Sequence, residues 1–155
     1  MALCAVGPGL SCEAASVLAS GPAPSAVQVA AVQMTAELGN VGSNLARAER
    51  LVRAALRRGA QWVILPEFFP SGIAFHPQMA EAARPVDGAP AQLLCRLTLE
   101  GSAAVGGSFL AWRDGNVYNT FVLALPDGST FRHDKDHPTF WENCLCHHAR
   151  ASGLC

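Results

Sequence analysis

Two apolar runs, Val27 to Met34 and Trp62 to Leu65, flank one amphipathic stretch, and this strand–helix–strand order constrains the fold more than any other feature. Val27-Gln28-Val29-Ala30-Ala31-Val32-Gln33-Met34 is apolar enough to predict a strand of the buried kind. After a turn at Gly39-Asn40, Leu45, Ala48, Leu51, Val52, Ala55 and Leu56 recur at three- and four-residue steps. Arg47, Glu49, Arg50, Arg53 and Arg57 take the opposite side. Arg57-Arg58 followed by Gly59 supplies a helix stop, and Trp62-Val63-Ile64-Leu65 gives a short strand ended by Pro66. Two strands joined through a helix pair in parallel, as a right-handed βαβ unit.

A second helix is predicted from Ala91 to Glu100, with Leu93, Leu94, Leu97 and Cys95 facing inward. Strands follow at Ala104 to Trp112, Val117 to Ala124 and Thr130 to His133. Between the first two lies Asp114-Gly115, a hairpin signal because both central residues must tolerate positive φ. Between the last two lies Pro126-Asp127-Gly128. The expected fold class is therefore α/β, with a mixed sheet, parallel strands first and an antiparallel meander after, and flanking helices.

Composition narrows the function. The chain has 155 residues, enough for one domain, and 50% of them are hydrophobic, so it can bury a core that offsets its ordering entropy. The net charge is −1, and no Lys/Arg cluster forms a stripe able to neutralise several phosphates, which argues against nucleic acid as a partner. No apolar run approaches the roughly 18 residues that would cross a bilayer, so no membrane partner is expected. Residues 1–24 are rich in Ala, Gly, Ser and Pro without periodicity, and read as a flexible leader. No positive residue precedes their apolar stretch, unlike a signal peptide, and the expected setting is the reducing cytoplasm. The six cysteines, Cys4, Cys12, Cys95, Cys144, Cys146 and Cys155, lack the spread of a disulfide framework. Cys144-Leu145-Cys146-His147-His148 spaces its thiols too closely for a typical zinc site, and no metal is expected.

Two charged residues stand in chemically suggestive places. Glu67 is the one charge in Trp62 to Pro70 and follows a parallel strand's carboxyl end, where open α/β sheets place their sites. Held among aromatic residues, its carboxyl would shift upward toward a general base's range; the alternative is a solvent-facing loop glutamate or helix-cap partner. Lys135 lies in Arg132-His133-Asp134-Lys135-Asp136-His137-Pro138. It is either part of a solvated turn or, kept protonated between two aspartates, a cation able to stabilise an oxyanion.

Taken together, Val32-Gln33-Met34, the Asn44 helix, Leu65-Pro66-Glu67-Phe68-Phe69, Tyr118-Asn119-Thr120, Pro126-Asp127-Gly128 and Lys135 resemble the nitrilase superfamily of carbon-nitrogen hydrolases. The resemblance covers 25–143 and leaves 144–155 as a tail without family likeness. It implies part of a four-layer α-β-β-α sandwich that hydrolyses small-molecule amides, nitriles or carbamoyl compounds with no metal or organic cofactor, in a family whose members commonly form dimers or larger assemblies. It also implies that Glu67 matches the general base, Lys135 the lysine that stabilises the tetrahedral intermediate, and Glu142 a second glutamate following that lysine.

The family's cysteine nucleophile lies tens of residues beyond the lysine, at the end of an apolar strand. Cys144 and Cys146 follow Lys135 too soon, Cys95 sits on a helix, and Cys155 is the last residue, so none is assigned. The expectation is an N-terminal portion truncated before the nucleophile, its activity in doubt. The alternative is a non-catalytic binding or oligomerisation module that offers an open sheet edge to a partner.

Overall fold

The computed structural model describes residues 26–74, 76–140 and 142. The expected leader, 1–24, and the tail, 144–155, with its cysteines and histidines, lie outside them. Strand β1 (Val29–Ala31) leads through helix α1 (Val41–Arg57) to β2 (Trp62–Ile64), and the two strands pair in parallel, as their helical connection requires. Helix α2 (Pro77–Glu81), strand β3 (Arg84–Pro85) and helix α3 (Ala89–Gly101) precede β4 (Ala104–Arg113). β4 pairs in parallel with β2 and begins an antiparallel meander with β5 (Asn116–Ala124) and β6 (Thr130–Asp134). The sheet runs β1-β2-β4-β5-β6, with β3 added alongside the far end of β4. This is the mixed sheet with flanking helices that the sequence predicts.

Local chemistry sets the boundaries. Asn40 Oδ1 accepts the Ser43 amide at the start of α1, and the chain leaves that helix through Gly59, at φ +87°. Pro90 sits in the first turn of α3, where a missing N–H is tolerated. Asp114 and Gly115 both take positive φ, 51° and 79°, which lets a two-residue loop match the twist of β4 and β5.

Side-chain alternation divides the sheet into two unlike faces. Val105, Phe109 and Ala111 of β4 join Val63, Val122 and Ala124 in the main core, against Ala48 and Val52 of α1 and Leu93, Leu94 and Leu97 of α3. Both helices thus cover one face. Ser108 and Leu110 point the other way, as period 2 demands. There Leu110, Phe68 and Met79 form a smaller cluster, while Val29, Trp62 and Phe131 remain exposed. On the outer side of α1 and α3, the Arg53–Glu100 and Arg96–Glu49 ion pairs cross between the helices, while Arg53–Glu49 lies within α1 and Arg96–Glu100 within α3. Their exposure limits each to at most about 1 kcal/mol.

Two elements depart from expectation. β1 is three residues long rather than eight, and Val29 is 65% exposed, so the strand is not of the buried kind. Among the described residues it pairs on one side alone, and the helices cover only one of its faces. The short α2 and β3 are not predicted, because Met79 is the one α2 residue sunk into the smaller cluster and a single apolar anchor generates no period.

Gly107 makes the packing testable. A Cβ there would lie 2.9 Å from Leu65 Cβ and 3.0 Å from the Phe69 ring. Gly107→Ala is expected to lower stability by about 1–3 kcal/mol, read as a lower urea midpoint. Gly42→Ala, in α1 with nothing within 4 Å, should raise that midpoint slightly.

Candidate active site

The segment carrying Glu67 stays tethered to the sheet beyond the end of β2. Leu65 N donates to Gly106 O at 2.8 Å and Phe69 N to Ser108 O at 3.3 Å. Between them Phe68 adopts φ +52°, a left-handed conformation that a bulky residue enters only when its surroundings impose it. Those surroundings are visible. Phe68 N donates to Ser108 Oγ, its carbonyl accepts from Ser71 N and Gly72 N, and its ring is buried against Met79 and Leu110. Phe69 sinks into the main core instead. With both neighbouring rings buried, Glu67 is left facing outward.

Asn44 fixes the same loop from the other side. Fully buried, its side chain accepts from Glu37 N at 2.8 Å and donates to Glu37 O at 2.7 Å and Pro70 O at 2.9 Å. The connections leaving β1 and β2 are thereby joined through one amide.

Lys135 reaches this loop from the opposite edge. Pairing of β5 with β6 continues past Asp134, because Lys135 N donates to Asn119 O at 2.9 Å. Alternation then sends neighbouring side chains to opposite faces. Asp134 turns to the helix-covered side, where Thr120 Oγ1 donates to it at 2.6 Å and Arg113, stacked on Tyr118, forms an ion pair with it. Burial opposes the Asp134 charge, yet these partners hold its carboxyl below the usual range. Asp136 pairs with His133. The expected pairing of Lys135 with its flanking aspartates is thus corrected, since the β period points Asp134 away from the ammonium.

Its carboxylate partners come from farther off. Lys135 Nζ donates to Glu67 Oε1 at 3.1 Å and to Glu142 Oε1 and Oε2 at 3.0 and 2.9 Å. All three residues singled out in the sequence therefore meet. Glu67 is not caged by aromatic residues as expected; its side chain is 43% exposed and bound by polar donors. Glu142 is buried, and its Oε2 also accepts the Thr139 amide at 2.7 Å. Asn119 carried no assigned role in the sequence, yet its Nδ2 donates to both Glu67 Oε1 and Glu142 Oε1, at 2.7 and 2.9 Å. Its sequence signal is an asparagine inside a β-rich run, where that residue type is disfavoured.

Burial disfavours the Lys135 charge, but its bonds to Glu142 and Glu67 outweigh this and raise its pKa above the ordinary lysine value. Burial likewise opposes the Glu142 charge, and Lys135, Thr139 and Asn119 overcome it, bringing that carboxyl down to about 2. The cluster opens on a cavity of about 500 Å³ that Ser108, Phe121, His133, Asp136 and His137 also line. A second cavity, about 550 Å³, lies beside β1 and α1, with Arg58 its one charged lining residue; it lacks an acid–base pair. Among the described residues no group of three or more His, Cys, Asp or Glu side chains could hold a metal ion. Cys95, on α3, is partly buried against the main core and does not line the first cavity.

The Glu142 site should make the protein acid-sensitive. Its folded pKa, about 2, lies below the ordinary 4.5, so its contribution is present above pH 4.5 and is lost as pH falls toward 2. Urea midpoints measured across that range should converge for wild type and Glu142→Gln at the acid end; parallel curves would contradict the charge assignment.

The chain resembles proteins of known kind. The carbon-nitrogen hydrolase family model matches residues 28–152. An omega-amidase of Xenopus laevis is 38% identical over 98 residues, covering 61% of this chain and 34% of that protein. A nitrilase of Pyrococcus abyssi is 34% identical over 116 residues, covering 72% of this chain and 44% of that protein. In structure, a CN-hydrolase superfamily protein of Xanthomonas campestris superposes with a TM-score of 0.72 at 25% identity, over 80% of this chain and 46% of the other. The chain thus spans about a third of the length of the omega-amidase and under half of the nitrilase. The match over most of its length, together with the fold, makes this chain a member of the carbon-nitrogen hydrolase family.

Proposed function

We propose that this chain contributes the proton-transfer and oxyanion-stabilising groups of a hydrolase that cleaves carbon–nitrogen bonds in small amides or nitriles. The observation that carries this is the meeting of Glu67 and Lys135 at one open cavity, with Glu142 bound to the same ammonium. The names of the similar proteins, omega-amidase and nitrilase, support the substrate class.

In the amide reaction, Glu67 takes the proton of a cysteine thiol as the sulfur attacks the carbonyl carbon, and a C–S bond forms. The carbonyl oxygen becomes an oxyanion, which the Lys135 ammonium stabilises. Collapse breaks the C–N bond, with the proton on Glu67 passing to the leaving nitrogen, so ammonia departs. Water then attacks the thioester carbonyl carbon, giving its proton to Glu67, and the C–S bond breaks as that proton returns to the cysteine sulfur, releasing the carboxylic acid. Covalent catalysis divides one difficult hydrolysis into two easier steps, and the thiol requires an adjacent base. Glu142 holds the lysine charged and in place.

Cys95 is remote from the cavity lining, so the thiol comes from polypeptide outside the described residues. The test is ammonia release from short primary amides and nitriles by the purified chain and by a chain extended to the length of its relatives. The extended form should release ammonia and lose at least a hundredfold in rate on Lys135→Ala or Glu67→Gln, while Cys95→Ser leaves the rate unchanged. Release that survives both substitutions would overturn the assignment.

A second proposal, association through the open edge of the sheet, is favoured by the exposed Val29 on β1, which is unpaired on its outer side among the described residues. Light scattering checks it: a defined oligomer supports the proposal, and monomer or polydisperse aggregate counts against it.

A further inference from the structure

We infer that Asn119 is a positioning residue that joins the two carboxylates of the site through a single amide nitrogen and leaves Glu67 Oε2 as its proton-accepting atom. The inference rests on the proposed roles of Glu67 and Lys135 and goes beyond them. Asn119 is 5% exposed and lies at the centre of the meander, beside Leu110 on β4 and in line with Lys135. Its amide has two N–H bonds, and two carboxylate oxygens stand before it, one from Glu67 and one from Glu142. Both neighbours are acceptors, which fixes the nitrogen, and not the oxygen, toward them. The same residue's carbonyl accepts the Lys135 amide, so Asn119 holds the lysine's main chain as well as its partners.

The arrangement has a chemical consequence. Lys135 Nζ and Asn119 Nδ2 both bind Glu67 at Oε1. Among the described residues no donor engages Oε2, which is therefore the oxygen available to a proton. Glu67 and Glu142 also carry two negative charges against one ammonium. When that ammonium turns toward an oxyanion, its hold on the carboxylates weakens, and Asn119 is the donor that remains between them. Being uncharged, it can do so without competing for the oxyanion as a second cation would.

The groups facing Glu142 are Lys135, Thr139 and Asn119, and the cavity beyond adds Glu67, His133, Asp136 and His137. The test is carboxyl-carbon NMR titration of Glu142 in the chain without substrate, for wild type, Asn119→Asp and Asn119→Leu. Asp keeps the shape and replaces a donor with an acceptor, whereas Leu removes the donor without adding charge. A bridging Asn119 predicts that the Glu142 titration midpoint rises by at least one pH unit in both variants, a tenfold change in its protonation constant. A merely structural Asn119 would lower the thermal midpoint and leave the titration of the folded protein where it was, and that result overturns the inference. If the third carboxylate prevents Asn119→Asp from folding, Asn119→Leu decides alone. Because no substrate is involved, a failure of amide hydrolysis would defeat the proposed reaction and leave this titration result intact.

Discussion

Two carboxylates can sit within hydrogen-bonding reach of one amide nitrogen only if something offsets their repulsion, and here that is the Lys135 ammonium. Its three short contacts, one to Glu67 and two to Glu142, draw together segments 68 and 7 residues away in sequence. The loop after β2, the end of β6 and Glu142 itself are held by this charge as much as by packing. Burial works against the charges of both Lys135 and Glu142, so their bonds support one another. Removing one partner strands another charge in a poorly solvated place, which costs more than the lost contact.

The ammonium arrives where it does because of strand periodicity. Asp134 and Lys135 are adjacent, yet one turns to Arg113 and Thr120 and the other to Glu67 and Glu142. The first set ties down the end of β6 from the helix-covered side, so the lysine is presented from a braced strand end. Ser108, Phe121 and His133 form a row across the three meander strands on the same face as Lys135, and the cavity lies over that row. The two faces of the sheet thus divide the work, one providing a dry core and the other a polar, open site.

This division explains which parts of the protein could be read from its sequence. The strand–helix–strand unit and the meander were legible because their apolar periods are long and their turns carry Asp-Gly signals. Glu67 was conspicuous as a lone charge after an apolar strand, and Lys135 through its place in a charged run closing the meander. Their meeting was not legible, since nothing local measures a distance across 68 residues. The flanking aspartates suggested partners for Lys135 that alternation then removed. Asn119 lay within a recognised motif, but an asparagine in a strand shows its purpose only once the carboxylates it serves are in place. The short β1 and the α2–β3 segment escaped because their anchoring is tertiary, through β2, β4 and the Met79 contact.

Glu67 owes its exposure to strain in the residue that follows it. A bulky residue at φ +52° would ordinarily relax, and relaxation here would swing the Phe68 ring out of its pocket or turn the Glu67 carboxylate inward. Ser108 opposes both movements, because its hydroxyl binds Phe68 N and its carbonyl binds Phe69 N. Asn44 opposes them from behind through Pro70. The backbone strain at Phe68 is therefore balanced by two hydrogen-bonded anchors and two buried rings, and its effect is to hold a carboxylate at the mouth of a cavity while the two phenylalanines that follow it are buried. A flexible glycine at that position would reach the same conformation without strain, but it would leave the smaller cluster without its central ring and the carboxylate without a fixed direction.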